Sequence, residues 1–193
     1  MEAYAEMLAG AGVQRGLLGP REVPRLWERH LLNCAVATSL VPAGASVIDV
    51  GSGAGLPGLV WALYRPDLHV TALEPQERRV AFLRECVAGL GLTNVEVRRG
   101  RAQDVTGAPY AEVITARAVA PLARLAVWVA PLLPRNGVLI AFKGARAATE
   151  LAAAEAVLNR LGLFPQLLRV GAEVTSPPAT VVLLRKRAAA YTR

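Results

Sequence analysis

The chain has 193 residues, of which 53% are hydrophobic, and its 22 basic and 15 acidic side chains give a formal net charge of +7. This size and apolar content fit one folded domain and exclude a largely disordered chain. A basic surplus is typical of proteins with an anionic partner such as nucleic acid, but an arginine- and alanine-rich composition can also reflect genome base composition. Two cysteines and two histidines, with no metal-ligand spacing, predict neither a disulfide framework nor a metal site.

Neither a membrane segment nor a secretion signal is predicted. No apolar run free of charge and proline reaches the roughly 18 residues that a transmembrane helix needs. The stretch between Met1 and Pro20 contains Glu2 and Glu6 and lacks the basic start of a signal peptide. We therefore expect a soluble, cytoplasmic protein without a membrane partner.

Residues 1–45 are predicted to form a helical N-terminal extension packed on a core domain of residues 46–193. Pro24 to Leu40 has the periodicity of a helix. The apolar face of that helix would contain Trp27, Leu31, Cys34 and Thr38. Arg21, Arg25 and Arg29 are four residues apart and would line one side of its start. Such a row is either a solvated face or a set of phosphate contacts, and the sequence leaves both open.

From residue 46 onward, short apolar segments alternate with segments of helical periodicity. The predicted strands are Ser46–Val50, His69–Glu74, Val95–Arg99, Val113–Ala116, Val138–Phe142, Phe164–Val170 and Thr180–Leu184. The predicted helices are Leu56–Tyr64, Gln76–Leu90, Leu122–Leu133 and Ala145–Leu161. This alternation predicts an α/β fold with a mostly parallel sheet covered by helices on both faces. The last two strands have no helix between them, so that pair can be antiparallel.

A glycine-rich turn lies between the first strand and the first helix of the core. Residues Ile48 to Gly58 read Ile-Asp-Val-Gly-Ser-Gly-Ala-Gly-Leu-Pro-Gly. A strand that runs through such a turn into a helix is typical of a nucleotide-type cofactor site, because glycine lets a ligand approach the backbone closely. The start of the helix would offer free N–H groups to an anionic part of that ligand. Glu74, at the end of the second strand, is suited to accept hydrogen bonds from both ribose hydroxyls.

Two cofactor classes are compatible with this turn. Gly53, Gly55 and Gly58 match the G-x-G-x-x-G spacing of dinucleotide sites. Against a dinucleotide, Asp49 lies inside the strand, and Ile-Asp-Val-Gly-Ser-Gly-Ala-Gly resembles motif I of class I methyltransferases, which bind S-adenosylmethionine. That resemblance implies a Rossmann-like fold whose turn faces the methionine part of the cofactor and whose Glu74 holds the ribose. The loop after the third strand would flank the adenine, where Gln103 can both donate and accept.

The segment after the fourth strand separates classes of methyltransferase. Adenine-N6 enzymes carry an Asn/Asp-Pro-Pro-aromatic segment there, whereas this chain has Thr-Ala-Arg-Ala-Val-Ala at Thr115 to Ala120. Cytosine-C5 enzymes use a Pro-Cys nucleophile, and neither Cys34 nor Cys86 follows a proline. Both of these classes are therefore disfavoured.

Nearly the whole chain resembles the 16S ribosomal RNA guanine-N7 methyltransferase family, also called the glucose-inhibited division protein B family. The matching segments, in chain order, are Arg29–Asn33, Asp49–Gly58, Arg78–Arg84, Arg117–Leu122 and Ala141–Gly144. The resemblance implies methyl transfer from S-adenosylmethionine to N7 of a guanine in a 16S RNA loop near the decoding site. The implied cofactor-binding residues are Gly51, Gly53, Gly55, Leu56, Glu74, Ala102, Gln103 and Arg117. The implied catalytic residues are Arg117, Lys143 and His30.

Four positions depart from the family's usual residues. Asn33 and Cys34 stand where many members have Asp-Ser, Gln103 stands where many have an acid, and Glu74 replaces an aspartate. Glu74 keeps the function of a hydrogen-bond acceptor. At Asn33 and Gln103, any function that depends on a negative charge is in doubt.

Guanine N7 is a neutral nitrogen with an exposed lone pair, so it can attack the sulfonium methyl without losing a proton first. Catalysis would then depend on in-line positioning and electrostatics rather than on a general base. Arg117 and Lys143 follow the fourth and fifth strands, at the sheet edge where ligands bind in such folds. We expect a monomer that acts on 16S RNA or the small subunit. The alternatives are a small-molecule methyltransferase and a non-catalytic cofactor-binding RNA or assembly partner.

Overall fold

The computed structural model describes residues 1–105 and 111–186, and in this part of the chain seven strands form one sheet. The strands are β1 (Ser46–Val50), β2 (His69–Glu74), β3 (Val95–Arg99), β4 (Val113–Arg117), β5 (Val138–Lys143), β6 (Leu163–Val170) and β7 (Ala179–Lys186). Their order in the sheet is β3-β2-β1-β4-β5-β7-β6. Strands β1 to β5 are parallel, and β7 is antiparallel to both of its neighbours. The predicted Rossmann-like sheet with an antiparallel C-terminal strand is confirmed.

Helices cover both faces of this sheet, as the alternating pattern predicted. The α-helices of the described residues are α1 (Glu2–Met7), α2 (Asn33–Ala35), α3 (Gly58–Tyr64), α4 (Glu77–Gly89), α5 (Leu122–Val129) and α6 (Ala147–Arg160). Neighbouring strand residues point to opposite faces. Ile48 packs in the cluster that contains residues of α5 and α6, whereas Val47 packs in the cluster that contains Trp61 of α3. No helix among the described residues is long and apolar enough to cross a bilayer.

The segment predicted as one regular helix from Pro24 to Leu40 is helical but irregular. It begins with a 3₁₀ turn at Pro20–Arg25 and continues through a π-helical stretch, Leu26–Leu32, into α2 and a further 3₁₀ turn, Val36–Leu40. Pro24 lies inside the first turn, where its missing N–H and its ring prevent a regular α-helix.

The π-helical stretch also changes which side chains face the core. Leu31 and Cys34 are buried as predicted, but Trp27 is 44% exposed, so its predicted place on the buried face is wrong. A π-helix turns less per residue than an α-helix, which rotates Trp27 away from the face it would share in α-helical geometry.

The N-terminal extension packs directly on the helices that follow β1 and β2. Tyr4 and Leu8 lie in one buried cluster with Leu59 of α3 and Phe82 of α4. Hydrogen bonds also join the extension to the core: among them, the Tyr4 hydroxyl donates to the Ala54 carbonyl oxygen at 2.7 Å, and the Trp61 indole N–H donates to the Cys34 carbonyl oxygen at 2.8 Å. The extension thus contacts the glycine-rich turn directly, through Tyr4, and stabilises it.

Candidate cofactor and active site

A cavity of about 510 Å³ lies where β1, β2 and β4 end. The carboxyl ends of parallel strands meet at one edge, so the loops that follow these three strands enclose a single space. Apart from Lys143, which is described below, nine residues were implied as cofactor-binding or catalytic. Eight of these nine line the cavity, and Gly55 is the exception. The eight are His30, Gly51, Gly53, Leu56, Glu74, Ala102, Gln103 and Arg117.

The backbone conformation of the turn requires glycine at Gly51. Gly51 has a φ of +65°, a region that residues with a Cβ rarely adopt. A Cβ added at Gly51 would lie 2.8 Å from Cγ2 of Val119, in the loop after β4. The glycine therefore lets the loops after β1 and β4 pack against each other at the cavity.

Four amides of this turn donate to acceptors within the protein. The Gly51 and Ser52 amides donate to the Leu73 carbonyl oxygen, and the Gly55 amide donates to the Ser52 carbonyl oxygen. The Gly53 amide donates to Oε2 of Glu74 at 2.9 Å. A pyrophosphate needs several free donors, so this turn disfavours the dinucleotide alternative.

Asp49 closes the same turn from inside the protein. Its Oδ2 accepts hydrogen bonds from the Ser52 hydroxyl at 2.5 Å and from the Gly58 amide at 2.9 Å. A Cβ added at Gly58 would lie 2.6 Å from that oxygen, so the approach of the α3 start to Asp49 requires glycine. Burial raises the pKa of Asp49 to about 6, against the effect of these two hydrogen bonds.

Glu74 is the buried carboxylate of the cavity, with 1% exposure. Its Oε2 accepts from the Gly53 amide, and its Oε1 accepts from the Gln76 amide at 3.0 Å. Each carboxylate oxygen has a second lone pair, so Glu74 can still accept hydrogen bonds from two ribose hydroxyls. Arg79, whose NH1 lies 3.8 Å from Oε2, also lines the cavity, and its Nε is buried without a partner among the described residues.

The loop after β3, which the resemblance implies to flank the adenine, contributes Ala102, which is buried, and Gln103, which is exposed. Trp128 of α5 lines the cavity as well. Leu17 and Leu18 of the N-terminal extension also line it, and no motif pointed to them. The cavity is thus built by both predicted parts of the chain.

Arg117 and His30 come together at the cavity, although 87 positions separate them. An Arg117 NH2 donates to His30 Nδ1 at 2.7 Å and to the Arg29 carbonyl oxygen at 3.2 Å. Its NH1 donates to the Cys34 Sγ at 3.3 Å. Because a guanidinium only donates, His30 Nδ1 accepts, and the protonated Nε2 donates to Oε2 of Glu22 at 2.8 Å.

The electrostatics of this group keep His30 neutral. Burial lowers the pKa of His30 most, and the nearby Arg117 cation lowers it further, whereas the hydrogen bond with Glu22 acts in the opposite direction. The same hydrogen bond with His30 lowers the pKa of Glu22. A neutral imidazole is the form that can accept from Arg117, so geometry and electrostatics agree.

Two residues of the sequence-based site lie outside the cavity lining. A Cβ at Gly55 would lie 2.6 Å from both the Leu59 Cδ1 and the Tyr4 hydroxyl, so Gly55 faces α3 and the extension. Lys143 forms an ion pair with Glu150, in which Nζ lies 2.8 Å from Oε2, and the Lys143 side chain is 8% exposed. Gly55 therefore shapes the turn from behind, and the ammonium of Lys143 is engaged with protein groups.

Comparison with known proteins places the chain in a family. The family model described as rRNA small subunit methyltransferase G (GidB) matches residues 1–174. The chain belongs to the rRNA small subunit methyltransferase G family. It is 57% identical over 182 residues to the Ribosomal RNA small subunit methyltransferase G of Thermobifida fusca, with 94% of this chain and 77% of that protein covered. Its identity to the Streptomyces coelicolor protein of the same name is 60% over 181 residues, with 93% and 76% covered.

Solved structures show the same fold at low sequence identity. The S-adenosylmethionine-dependent methyltransferase SibL in its apo form superposes with a TM-score of 0.68 at 15% identity, over 87% of this chain and 58% of that chain. The SAM-dependent O-methyltransferase of Thermotoga maritima gives a TM-score of 0.63 at 15% identity, over 86% and 70%. The rRNA small subunit methyltransferase G family uses S-adenosylmethionine. The bonded amides of Gly51, Ser52 and Gly53 and the buried Glu74 fit that cofactor.

Adding a methyl group at Gly51 is expected to abolish cofactor binding. In Gly51→Ala the added Cβ would clash with Val119, and the alanine would have to adopt a disfavoured φ. We therefore expect the dissociation constant for S-adenosylhomocysteine to rise at least about tenfold. Isothermal titration calorimetry measures this. Gly10→Ala is the matched control, because nothing lies within 4 Å of its added Cβ. Equal affinity of both variants would contradict the proposed fit.

Acid pH is expected to break the contact between Arg117 and His30. The folded-state pKa of His30 lies below the ordinary value, so neutral His30 stabilises the fold above about pH 6.5, and this contribution is lost as the pH falls through the folded pKa. Between about pH 6.5 and 5, urea unfolding should therefore show a larger loss of stability for the wild type than for His30→Gln. Parallel pH profiles would show that His30 is not held neutral by folding.

Proposed function

We propose that this chain transfers the methyl group of S-adenosylmethionine to N7 of a guanine in the 16S RNA, in the loop near the decoding site. The observation that carries the proposal is the meeting of Arg117 and His30 with the glycine turn and Glu74 at one cavity. The chain is an S-adenosylmethionine-dependent methyltransferase of the small subunit ribosomal RNA family. We propose further that the protein acts in the cytoplasm as a monomer, and the cavity residues named above all belong to one chain, as a monomeric enzyme requires.

The reaction needs positioning more than proton transfer. N7 attacks the sulfonium methyl with its free lone pair, the carbon–sulfur bond breaks, and the positive charge passes from the cofactor to the guanine. Neither partner loses a proton in that step, so His30 need not act as a base. Bringing N7 in line with the methyl converts a bimolecular step into one within a single complex.

Arg117 is suited to hold the guanine. Three hydrogen bonds to Cys34, Arg29 and His30 fix its guanidinium, and a guanidinium carries five N–H groups. The remaining donors can bind guanine O6 or a phosphate at the cavity. His30 and Glu22 act through Arg117 by fixing its orientation.

Removing the Arg117 side chain is expected to reduce methylation strongly while the protein still folds. For Arg117→Ala we expect transfer of labelled methyl to 16S RNA, or to small subunits from a strain that lacks the modification, to fall by about 100-fold. Arg135→Ala is the control, because Arg135 lies just before β5, at the amino end of that strand and therefore away from the cavity.

The same assay separates the competing functions. Nucleoside mass spectrometry of the 16S RNA from strains with and without the gene should show 7-methylguanosine only when the gene is present. Transfer to metabolites without transfer to RNA would favour a small-molecule methyltransferase. Unchanged RNA modification and tight cofactor binding in Arg117→Ala would favour a non-catalytic RNA partner.

A basic, exposed surface lies at the start of the N-terminal helical segment, a few residues before the cavity residue His30. Arg21, Arg25 and Trp27 are exposed there. Arginine binds phosphates, and an exposed indole offers a stacking face to a base. We therefore expect these groups to contribute to RNA affinity, and that contribution should weaken as the salt concentration rises.

Neutralising Arg25 is expected to reduce RNA affinity and its salt dependence together. For Arg25→Gln, the slope of log K against log salt should fall by about one unit, as expected for one lost phosphate contact. Fluorescence anisotropy with a 16S RNA fragment across a salt series measures both quantities. Arg135→Gln serves as the control for a loss of charge alone, and an equal effect of the two variants would remove this surface from the proposal.

A further inference from the structure

The loop between β4 and α5 is held in an unusual conformation at the cavity. Ala118 and Val119 of this loop line the cavity. Ala118 has a φ of +56°, although it is not a glycine. A residue with a Cβ keeps such a φ only where its surroundings hold it there. The loop therefore needs fixed points on both sides of Ala118.

Two contacts fix the residues directly before and after Ala118. Arg117 is bonded to His30, Cys34 and the Arg29 backbone. Val119 packs against Gly51, where an added Cβ would lie 2.8 Å from its Cγ2. These contacts join the loop to the extension and to the glycine turn.

On the side toward the helix, an ion pair between β5 and α6 holds the loop. Lys143 Nζ donates to the Ala120 carbonyl oxygen at 2.9 Å and to Glu150 Oε2 at 2.8 Å. The same Glu150 oxygen accepts from the Leu122 amide at 3.1 Å. Leu122 is the first residue of α5, whose N-terminal amides lack partners within the helix. The pair therefore bonds the loop immediately before and after Pro121.

The charges of this pair reinforce the geometry. The carboxylate of Glu150 faces the positive end of the α5 dipole and the Lys143 ammonium at once. The hydrogen bond with Lys143 is the main cause that lowers the pKa of Glu150. Glu150 is accordingly ionised and paired at neutral pH.

We infer that Glu150 is a positioning residue for methyl transfer, which acts with Lys143 to hold the loop after β4 in the conformation that lines the substrate side of the cavity. This inference rests on the proposed function. It assigns Lys143, which the family resemblance implied to be catalytic, to the support of the loop. It also adds Glu150, a residue of no recognised motif, to the groups on which the rate depends.

The test is a double-mutant cycle with Lys143→Met, Glu150→Met and the double variant. Each single variant releases the same loop, so we expect kcat for methyl transfer to fall by about 10- to 100-fold in all three, with no further loss in the double variant. The dissociation constant for S-adenosylhomocysteine should change less than about threefold, because the glycine turn and Glu74 stay in place. Glu150→Gln keeps an acceptor oxygen and should recover part of kcat.

Matched measurements keep the outcome interpretable. Glu155→Met changes an exposed residue of the same helix and should keep the wild-type kcat. The urea concentration at the unfolding midpoint is measured for every variant. Assays are then run under conditions in which every variant is folded, so that a loss of folded protein does not lower kcat. A wild-type kcat in Glu150→Met would overturn the inference, as would additive losses in the double variant. An inactive wild type would instead contradict the proposed function.

Discussion

Two buried carboxylates at the ends of neighbouring parallel strands shape the cofactor loop. Asp49 in β1 accepts from Ser52 and from the Gly58 amide, while Glu74 at the end of β2 accepts from the Gly53 amide. Together they bond the turn from inside the protein and from the cavity side. The amides of Gly51, Ser52 and Gly53 are occupied, so a ligand there would be bound mainly by the carboxylate and by close contact with the glycines. This constraint favours an adenosine-type ribose over a pyrophosphate.

The N-terminal extension contributes to the site as well as to its support. Its Tyr4 hydroxyl bonds the turn at Ala54, its Leu17 and Leu18 line the cavity, and its His30 accepts from Arg117. The Arg117 guanidinium is therefore shared between a strand end of the core and a helix of the extension. A methyltransferase core without this extension would lack one wall of its cavity and the neutral acceptor that orients Arg117.

Lys143 illustrates how one residue type can serve either chemistry or support. A lysine at the carboxyl end of a central strand is in the right region to touch a ligand. In this chain the neighbouring helix α6 supplies Glu150 within 2.8 Å, and the loop after β4 supplies a carbonyl oxygen at 2.9 Å. The ammonium therefore lies almost fully buried among protein groups, and its influence reaches the cavity through the backbone of the loop.

The sequence by itself determined the fold class and the place of the glycine-rich turn between β1 and α3. Strands β1, β2 and β3 have the predicted bounds, because the alternation of apolar runs and helical periods depends on neighbours along the chain. The sites of Gly51 and Glu74 followed from the position of each residue at a strand end. Tertiary structure alone decided that Gly55 faces α3, that Trp27 is exposed, that Trp128 reaches the cavity, and that Lys143 pairs with Glu150. These outcomes depend on partners distant in sequence or on the width of a helical turn, which local patterns of residues do not encode.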